Sequence, residues 1–187
     1  MAVGIGAGLA AVAGVRAYIP VFLVGIFALV GVLALHRPFD FMDGGVALGV
    51  LVVLALLEVG LDKVKGTSRA LNYAQVPVRM AAGAVLFAVA LGAGLGPQAA
   101  PELIAGGVIA GVVAVLKLLL RPSAEGGAGV SSAFLSVCED LTGLIGGIIA
   151  VFVPYLSLIL VAFLLFFYYR IRRRRGRKYR GLRILGD

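Results

Sequence analysis

Apolar stretches long enough to cross a lipid bilayer recur along almost the whole chain, and this feature constrains the fold more than any other. A hydrocarbon core of about 30 Å requires about 20 consecutive apolar residues in a helix. The sequence therefore predicts an all-α fold, a polytopic membrane helix bundle of about six spans. The predicted spans are residues 17–35, 46–61, 78–95, 102–120, 131–152 and 155–169.

The composition excludes a water-soluble protein. Hydrophobic residues make up 61% of the 187 residues and charged residues 14%, whereas soluble domains contain about 45–50% and about 25%. A single cysteine, Cys138, excludes an internal disulfide and a multi-cysteine metal site, and a single histidine, His36, argues against metal or haem held by paired histidines. The sequence contains no Walker-type, HExxH or GxSxG motif, so no cofactor is predicted.

The first apolar stretch is too long for one span and must be interrupted. Residues 2–35 are apolar apart from Arg16, and one helix of that length would be about 50 Å long, against a hydrocarbon core of about 30 Å. Arg16 and Pro20 mark the interruption, because a buried arginine needs water or a partner and proline removes a helical hydrogen bond. We predict a glycine-rich segment at residues 2–14, a break, and a first span at residues 17–35.

The distribution of basic residues predicts the orientation. Nine of the 17 lysines and arginines lie in residues 170–187, while the rest of the chain carries eight basic and eight acidic side chains. Because basic segments next to spans stay in the cytoplasm, we divide the chain into a transmembrane bundle, residues 1–169, and a basic cytoplasmic tail. We predict a multi-pass protein of the cell (inner) membrane with both termini in the cytoplasm. The tail is expected to contact anionic lipid headgroups, and nucleic acid is not an expected partner.

Two weaker patterns concern helix packing. Residues 44–54 match residues 106–116 at several Gly, Val and Leu positions, which indicates an internal repeat of the kind found in transporter folds. Many of the 27 glycines are spaced four residues apart, which favours close helix contacts. Examples are Gly4 with Gly8, Gly45 with Gly49, and Gly107 with Gly111.

Charged side chains inside or beside apolar helices are the strongest functional signal, because their burial in a bilayer is costly. Glu58 and Asp62 are four residues apart and share one helix face, where Arg16 and Arg79 are natural partners. We expect at least one of these arginines to lie within salt-bridge distance of a carboxylate. The candidate residues of a ligand or ion pathway are Arg16, Tyr18, Glu58, Asp62, Lys63, Arg79, Lys117, Glu139 and Asp140.

A structural interpretation stands beside the functional one. Lys63, Lys65 and Arg121 lie at predicted span ends, where long basic side chains commonly reach the headgroups. Tyrosines near span ends are typical interfacial anchors, and this chain, which lacks tryptophan, has four of them, Tyr18, Tyr155, Tyr168 and Tyr169. On this interpretation the charges anchor the helices or hold them together, and they bind no solute.

Five short motifs are spread over nearly the whole chain, namely Ala13-Gly14-Val15-Arg16-Ala17-Tyr18-Ile19-Pro20, Leu57-Glu58, Asp62-Lys63, Gly126-Gly127 and Glu139-Asp140. Together they resemble the bacterial integral-membrane family catalogued as domain of unknown function 4126. The resemblance implies the fold and the choice of candidate residues. It implies no activity.

Three functions remain as hypotheses. The first is a small transporter or channel with a charged cavity toward the cytoplasmic side, where the arginines hold an anionic group or balance carboxylates that take a proton or cation. The second is a non-catalytic membrane scaffold or assembly factor whose ion pairs only hold helices together. The third is a metal-dependent enzyme acting on lipid, with Glu58, Asp62 and Asp140 as ligands, since carboxylates suit Mg²⁺ and Mn²⁺. A homo-oligomer is compatible with all three.

The orientation can be tested with topology reporters. A reporter fused after Asp187 should be cytoplasmic and one inserted next to Gln98 should be external, because the basic residues lie in the tail and the Gln98 turn has none. Alkaline phosphatase and green fluorescent protein fusions measure the two sides. Cytoplasmic fluorescence from the Gln98 insertion would contradict the predicted order of spans.

Overall fold

The structure, a computed structural model, describes residues 1–61, 68–93, 99–121 and 132–182. Over these ranges the chain is mostly helical and has no β-strand, which confirms the predicted all-α fold. A short 3-10 helix, Phe39–Asp43, lies between the second and third α-helices. The α-helices are α1 Ala2–Val15, α2 Tyr18–Leu29, α3 Gly45–Leu61, α4 Ser68–Ala90, α5 Ala100–Leu120, α6 Ser132–Phe152 and α7 Pro154–Leu182.

The N-terminal helix α1 lies at the centre of the bundle. It packs against α4, α5, α6 and α7, and every residue from Gly8 to Val15 is buried. A helix that is apolar on all sides is stable only when other elements or lipid surround it. In α1 the surrounding elements are protein helices, and Leu9 and Val12 are almost fully buried. The segment predicted as a glycine-rich extension is therefore the core helix of the fold.

The helix is interrupted between α1 and α2, as the sequence predicted. Arg16 follows the last residue of α1 in an extended conformation, with φ −137° and ψ 123°, and α2 begins at Tyr18. Pro20 lies in the first turn of α2, where its missing N–H removes no helical hydrogen bond. The proline therefore favours a helix start just after Arg16.

The helices α1 and α2 form an antiparallel hairpin whose tip is Arg16. α1 starts beside Pro154, where α6 passes into α7, and Arg16 at its far end contacts Asp140 in the first half of α6. α2 then runs back along α6, and the ring centroids of Phe27 and Phe152 are 5.8 Å apart. The hairpin therefore enters and leaves the bundle at the same end.

The remaining helices alternate in direction. α3, α5 and α7 run toward the tip of the hairpin, and α4 and α6 run away from it. The two copies of the predicted repeat correspond to α3 and α5, which run the same way. The start of α1 and the end of α7 lie toward opposite ends of the bundle, whereas the sequence predicted both termini on one side. The difference arises because α1 is inserted into the bundle rather than left outside it.

Among the described residues, four helices are long and apolar enough to cross a membrane, fewer than the six predicted spans. Their apolar segments are Tyr73–Ala90, Ala100–Leu120, Ala133–Phe152 and Pro154–Arg173. The first two predicted spans correspond to α2, with 12 residues, and α3, with 17 residues. At 1.5 Å per residue these helices are about 18 Å and about 26 Å long, shorter than a hydrocarbon core of about 30 Å. The chain is a polytopic helical membrane protein in which neither α2 nor α3 has the length of a full span.

Two glycines end helices earlier than the apolar pattern suggested. Gly31 has φ +78°, and the N–H of Val32 donates to the carbonyl of Phe27, which closes the end of α2. Gly92 has φ +69° after α4, and the same type of bond joins Ala93 to Ala88. Because glycine adopts positive φ without a steric penalty, it is the usual residue at such helix ends. The predicted span end at Leu35 therefore lies beyond α2, and the one at Leu95 lies outside the described residues.

Two other boundaries differ from the predictions. α4 begins at Ser68, so Pro77 lies inside it instead of starting it. Membrane helices tolerate internal proline because neighbouring groups satisfy the backbone that it leaves unbonded. α7 continues without interruption through Tyr169, the predicted last residue of the bundle, and into the basic tail as far as Leu182.

Glycines provide the close contacts of the helices around α1. A Cβ added to Gly14 would lie 2.6 Å from the carbonyl oxygen of Ala110. Gly83 and Gly106 face each other across α4 and α5 in the same manner. Gly49 on α3, by contrast, has no atom within 4 Å of its added Cβ. Small residues thus let α1, α4 and α5 approach closely, while part of α3 faces outward.

A pair of matched substitutions tests this packing. Gly14→Ala should lower the stability of the protein by about 1–3 kcal/mol, because its Cβ meets backbone that cannot move aside easily. Gly49→Ala adds the same methyl group in open space and should leave the stability unchanged or slightly raised. Thermal unfolding in detergent measures both. Equal melting temperatures for the two variants would contradict the packing described here.

Candidate functional site

Seven charged side chains from five parts of the fold meet at the tip of the hairpin. We call this set the charged layer, and its members are Arg16, Glu58, Arg79, Lys117, Arg121, Glu139 and Asp140. Five of them are at most 2% exposed. Glu139 is the eighth residue of α6 and lies 13 residues before Phe152, which corresponds to about 11 Å and about 20 Å along the helix. The layer therefore lies inside the bundle, nearer to the end from which α6 starts.

The side chain of Glu58, on α3, caps the N-terminus of α2. Its two carboxylate oxygens accept hydrogen bonds from the backbone N–H groups of Ala17 and Tyr18, each at 3.2 Å. Arg79 Nη2 lies 3.7 Å from Glu58 Oε1 and donates to Gln75 Oε1 at 2.6 Å. A carboxylate suits this place, because the first N–H groups of a helix have no helical acceptor and carry partial positive charge.

The side chain of Lys117, on α5, caps the C-terminus of α1. Its Nζ donates to the carbonyl oxygen of Val15 at 2.8 Å and lies 2.8 Å from Glu139 Oε2. The last carbonyl groups of a helix carry partial negative charge, which a cation stabilises. The two backbone ends created by the break are thus each matched by a buried side chain of opposite charge, supplied by a different helix.

Glu139 is the centre of the layer. Its Oε1 accepts a hydrogen bond from the hydroxyl of Tyr168 at 2.7 Å and lies 3.2 Å from Arg121 Nε. Its Oε2 lies 2.8 Å from Lys117 Nζ and 3.7 Å from Arg16 Nη2. Three basic side chains and one hydroxyl therefore surround a carboxylate that is fully buried.

Arg16 joins the break in the chain to α6. Its Nη2 lies 2.7 Å from Asp140 Oδ1 and donates to Ser136 Oγ at 3.0 Å. The arginine side chain is fully buried, whereas 21% of the Asp140 side chain is exposed. Gly143, one turn further along α6, leaves room for the carbon chain of Arg16. The small and polar face of α6 is thus shaped around this arginine.

The structure brings together most of the residues chosen from the sequence. The predicted pairing of opposite charges is present, because Arg16 contacts Asp140 and Arg79 lies near Glu58. Tyr18 contributes its backbone N–H. Asp62 and Lys63 lie outside the described residues, as do Lys65 and the Gly126-Gly127 motif. The role of the set as a ligand or ion pathway stays a prediction.

Four residues of the site had been given another role or none. Arg121 was interpreted as a headgroup anchor, but its side chain is only 12% exposed and faces Glu139. Tyr168 was interpreted as an interfacial anchor, but it is fully buried. Ser136 and Gln75 were not selected. Gln75 lies one turn before Arg79 on α4, a spacing that could have indicated their contact. The contacts of the other three could not be read from spacing, because their partners lie on other elements.

No group of three or more histidine, cysteine, aspartate or glutamate side chains occurs among the residues that the structure describes. Glu58 and Asp140, two of the three ligands of the metal-enzyme hypothesis, have separate arginine partners. The third, Asp62, lies outside the described residues.

The fold and the layer define a class of protein, a polytopic helical membrane protein with a buried charged network around a broken helix. A family model described as a domain of unknown function, DUF4126, matches residues 3–174. The chain belongs to this family. No curated protein and no solved structure matches the chain.

The Tyr168 hydroxyl can be tested by a matched pair of substitutions. Tyr168→Phe removes a donor to the buried Glu139 carboxylate, and a hydrogen bond to a charged group contributes about 1.5–3 kcal/mol. Tyr169→Phe removes a hydroxyl from a side chain that is 46% exposed and should change the stability by less than about 0.5 kcal/mol. The melting temperatures in detergent measure the difference. A larger effect at Tyr169 would show that Tyr168 does not support Glu139.

Proposed function

We propose that the protein is a small transporter or channel and that the charged layer is the site through which its solute or ion passes. The observation that supports this most is the break between α1 and α2 inside the bundle, with both helix ends turned to buried charges. Discontinuous helices of transporters present their ends to substrates and coupling ions in the same way. In this chain Glu58 stands where an anionic group would bind and Lys117 where a cation would bind.

The energetics of the layer also favour transport. Buried ion pairs contribute little to stability, because the cost of removing charges from water is about as large as their attraction. The helices of this bundle are already joined by close contacts at glycines such as Gly14 and Gly106. Cohesion between the helices therefore does not by itself account for seven buried or half-buried charges. Ionisable groups inside a membrane protein are by default candidates for a functional pathway.

The basic tail sets the proposed orientation. By the positive-inside rule the tail lies in the cytoplasm of a cell (inner) membrane protein, and its basic side chains contact anionic lipids there. The charged layer then lies in the cytoplasmic half of the bundle. The hairpin of α1 and α2 enters from the external side, with the N-terminus external, which replaces the cytoplasmic N-terminus predicted from the sequence.

A scaffold or assembly factor is the second candidate. It is favoured by the dense packing of the layer, in which each carboxylate has a basic partner and Arg16, Lys117 and Glu139 are almost completely buried. A scaffold and a transporter differ in what the substitution of a layer residue changes. In a scaffold, only the stability or the binding of a partner protein would change.

Flux measurements in proteoliposomes test the proposal. Purified protein in vesicles should raise the flux of at least one of four probes, protons, Na⁺, K⁺ or Cl⁻, above that of protein-free vesicles. Glu58→Gln should lower this flux by about tenfold or more, equivalent to about 1.4 kcal/mol in the barrier. The reason is that the amide keeps the shape of Glu58 but loses the charge that faces Arg79.

Asp40→Asn is the matched control. Asp40 is 54% exposed in the loop between α2 and α3, outside the layer, so its variant should keep the full flux. Melting temperatures in detergent show whether each variant is folded. Folded protein that raises the flux of none of the four probes would overturn the proposal for ions, and an effect of Glu58→Gln on stability alone would support the scaffold.

A further inference from the structure

One face of α3 is uncovered in the part of the chain that the structure describes. α3 packs mainly against α2 and the short 3-10 helix. Its exposed residues recur every three or four positions and therefore form one helix face. We call it the outer face of α3, and its members are Gly45, Val46, Gly49, Val50, Val53, Leu56, Leu57 and Gly60.

The glycines open a groove on this face. The groove has a volume of about 360 Å³ and is lined by α3 alone, through Val46, Gly49, Val50, Val53 and Leu54. A Cβ built on Gly45 or Gly49 meets no described neighbour within 4 Å. Two glycines four residues apart in an apolar helix are typical of a contact with a second membrane helix, because they let the backbones approach closely.

The same pattern occurs a second time in the chain, and there a helix covers it. Residues 45–54 of α3 and residues 107–116 of α5 both read Gly-Val-x-x-Gly-Val-x-x-Val-Leu. In α5 both glycines are buried against α4, since an added Cβ would lie 3.1 Å from Met80 at Gly111 and 3.7 Å from Ala84 at Gly107. The pattern thus forms a helix contact once within the chain, and the outer face of α3 presents it again.

The lengths of the helices also favour association on this side of the bundle. α4, α5, α6 and α7 have at least 21 residues each, whereas α2 has 12 and α3 has 17. The two short helices are about 18 Å and about 26 Å long, against a hydrocarbon core of about 30 Å. Lipid beside short helices has to thin, and association of the short helices reduces this cost.

We propose that the outer face of α3 is the contact between two copies of this chain in the membrane. Both copies insert in the same direction, so a two-fold axis along the membrane normal sets the α3 helices parallel, with the two Gly49 residues facing each other. A second copy brings an equally short pair of helices, so its edge has the same height. This inference does not depend on the proposed transport function.

The contact leaves the charged layer of each copy complete. Glu58 and Gly49 are nine residues apart, which is about two and a half turns, so they lie on opposite faces of α3. Glu58 is 2% exposed and caps α2 within its own chain. The contact therefore fixes the helix that carries Glu58 without touching the layer.

Cysteine cross-linking in vesicles of purified protein tests the contact. The natural cysteine is first replaced, Cys138→Ser, and single cysteines are then introduced. Because a disulfide requires Cα atoms within about 7 Å, oxidation should give a covalent dimer with Val53→Cys. Val115→Cys is the matched control, since it occupies the same position of the pattern on α5 and is also exposed, and it should give no dimer.

A cysteine scan along α3 distinguishes a fixed contact from random collisions. Positions 49 and 53 on the outer face should cross-link, and positions 51 and 55 on the opposite face should not. Equal cross-linking at all four positions, or at Val115→Cys, would overturn the inference. Folded protein that cross-links at none of them would also overturn it and would show that lipid covers the face. A product in native membranes with a mass other than twice that of the chain would show that another protein does.

The strength of association can be measured with a second matched pair. Val50 and Val112 hold the same position in the two copies of the pattern and are 53% and 54% exposed. Val50→Trp fills the groove and should lower the association constant by about tenfold or more. Val112→Trp enlarges an exposed side chain outside the contact and should change it by less than about twofold.

Fluorescence energy transfer between labelled copies, diluted with increasing amounts of lipid, measures both association constants. Thermal unfolding of dilute protein in detergent reports the fold of the single chain and shows that each variant is folded. Equal association constants for Val50→Trp and Val112→Trp, or the absence of energy transfer in the unsubstituted protein, would overturn the inference. The flux measurements are separate, so a dimer without flux would contradict transport alone.

Discussion

The structure depends on one constraint. The helix is interrupted between α1 and α2, and the N–H and carbonyl groups exposed by this interruption need hydrogen-bond partners inside the bundle. The hydrocarbon core of a membrane contains no water that could form hydrogen bonds with the N–H and carbonyl groups of a helix end. Glu58 takes the N–H groups at the start of α2, and Lys117 takes the carbonyl at the end of α1. Each of these side chains then needs a partner of its own, which brings Arg79 to the first and Glu139 to the second.

The charged network therefore follows from the position of the break, and the break follows from the hairpin. α1 can lie in the centre because nine of its 14 residues are alanine or glycine, whose small size lets four helices pack around it. Close contacts at Gly14, Gly83 and Gly106 join α1, α4 and α5. The charged side chains add to this packing by satisfying the helix ends and one another.

Within the layer, the two halves have different characters. Glu58 is held mainly by backbone N–H groups and one arginine, so its negative charge has a fixed partner in the helix end. Glu139 is surrounded by side chains, three of them basic and one a tyrosine. Glu58 therefore belongs to the start of α2, whereas Glu139 joins α5, α6 and α7 through side-chain contacts.

The sequence by itself determined the helical membrane fold, the helix interruption near Arg16 and the identity of most members of the charged layer. These follow from local chemistry, since apolar length, proline and a charge in an apolar run each act within one or two turns of a helix. It did not determine that α1 is the core helix, that Gly31 and Gly92 end helices early, or that Arg121 and Tyr168 turn inward to Glu139. Only the tertiary structure decided these, because apolar helices that face lipid and apolar helices that face protein have the same composition. The direction in which a side chain at a helix end points depends on a partner that lies on another helix.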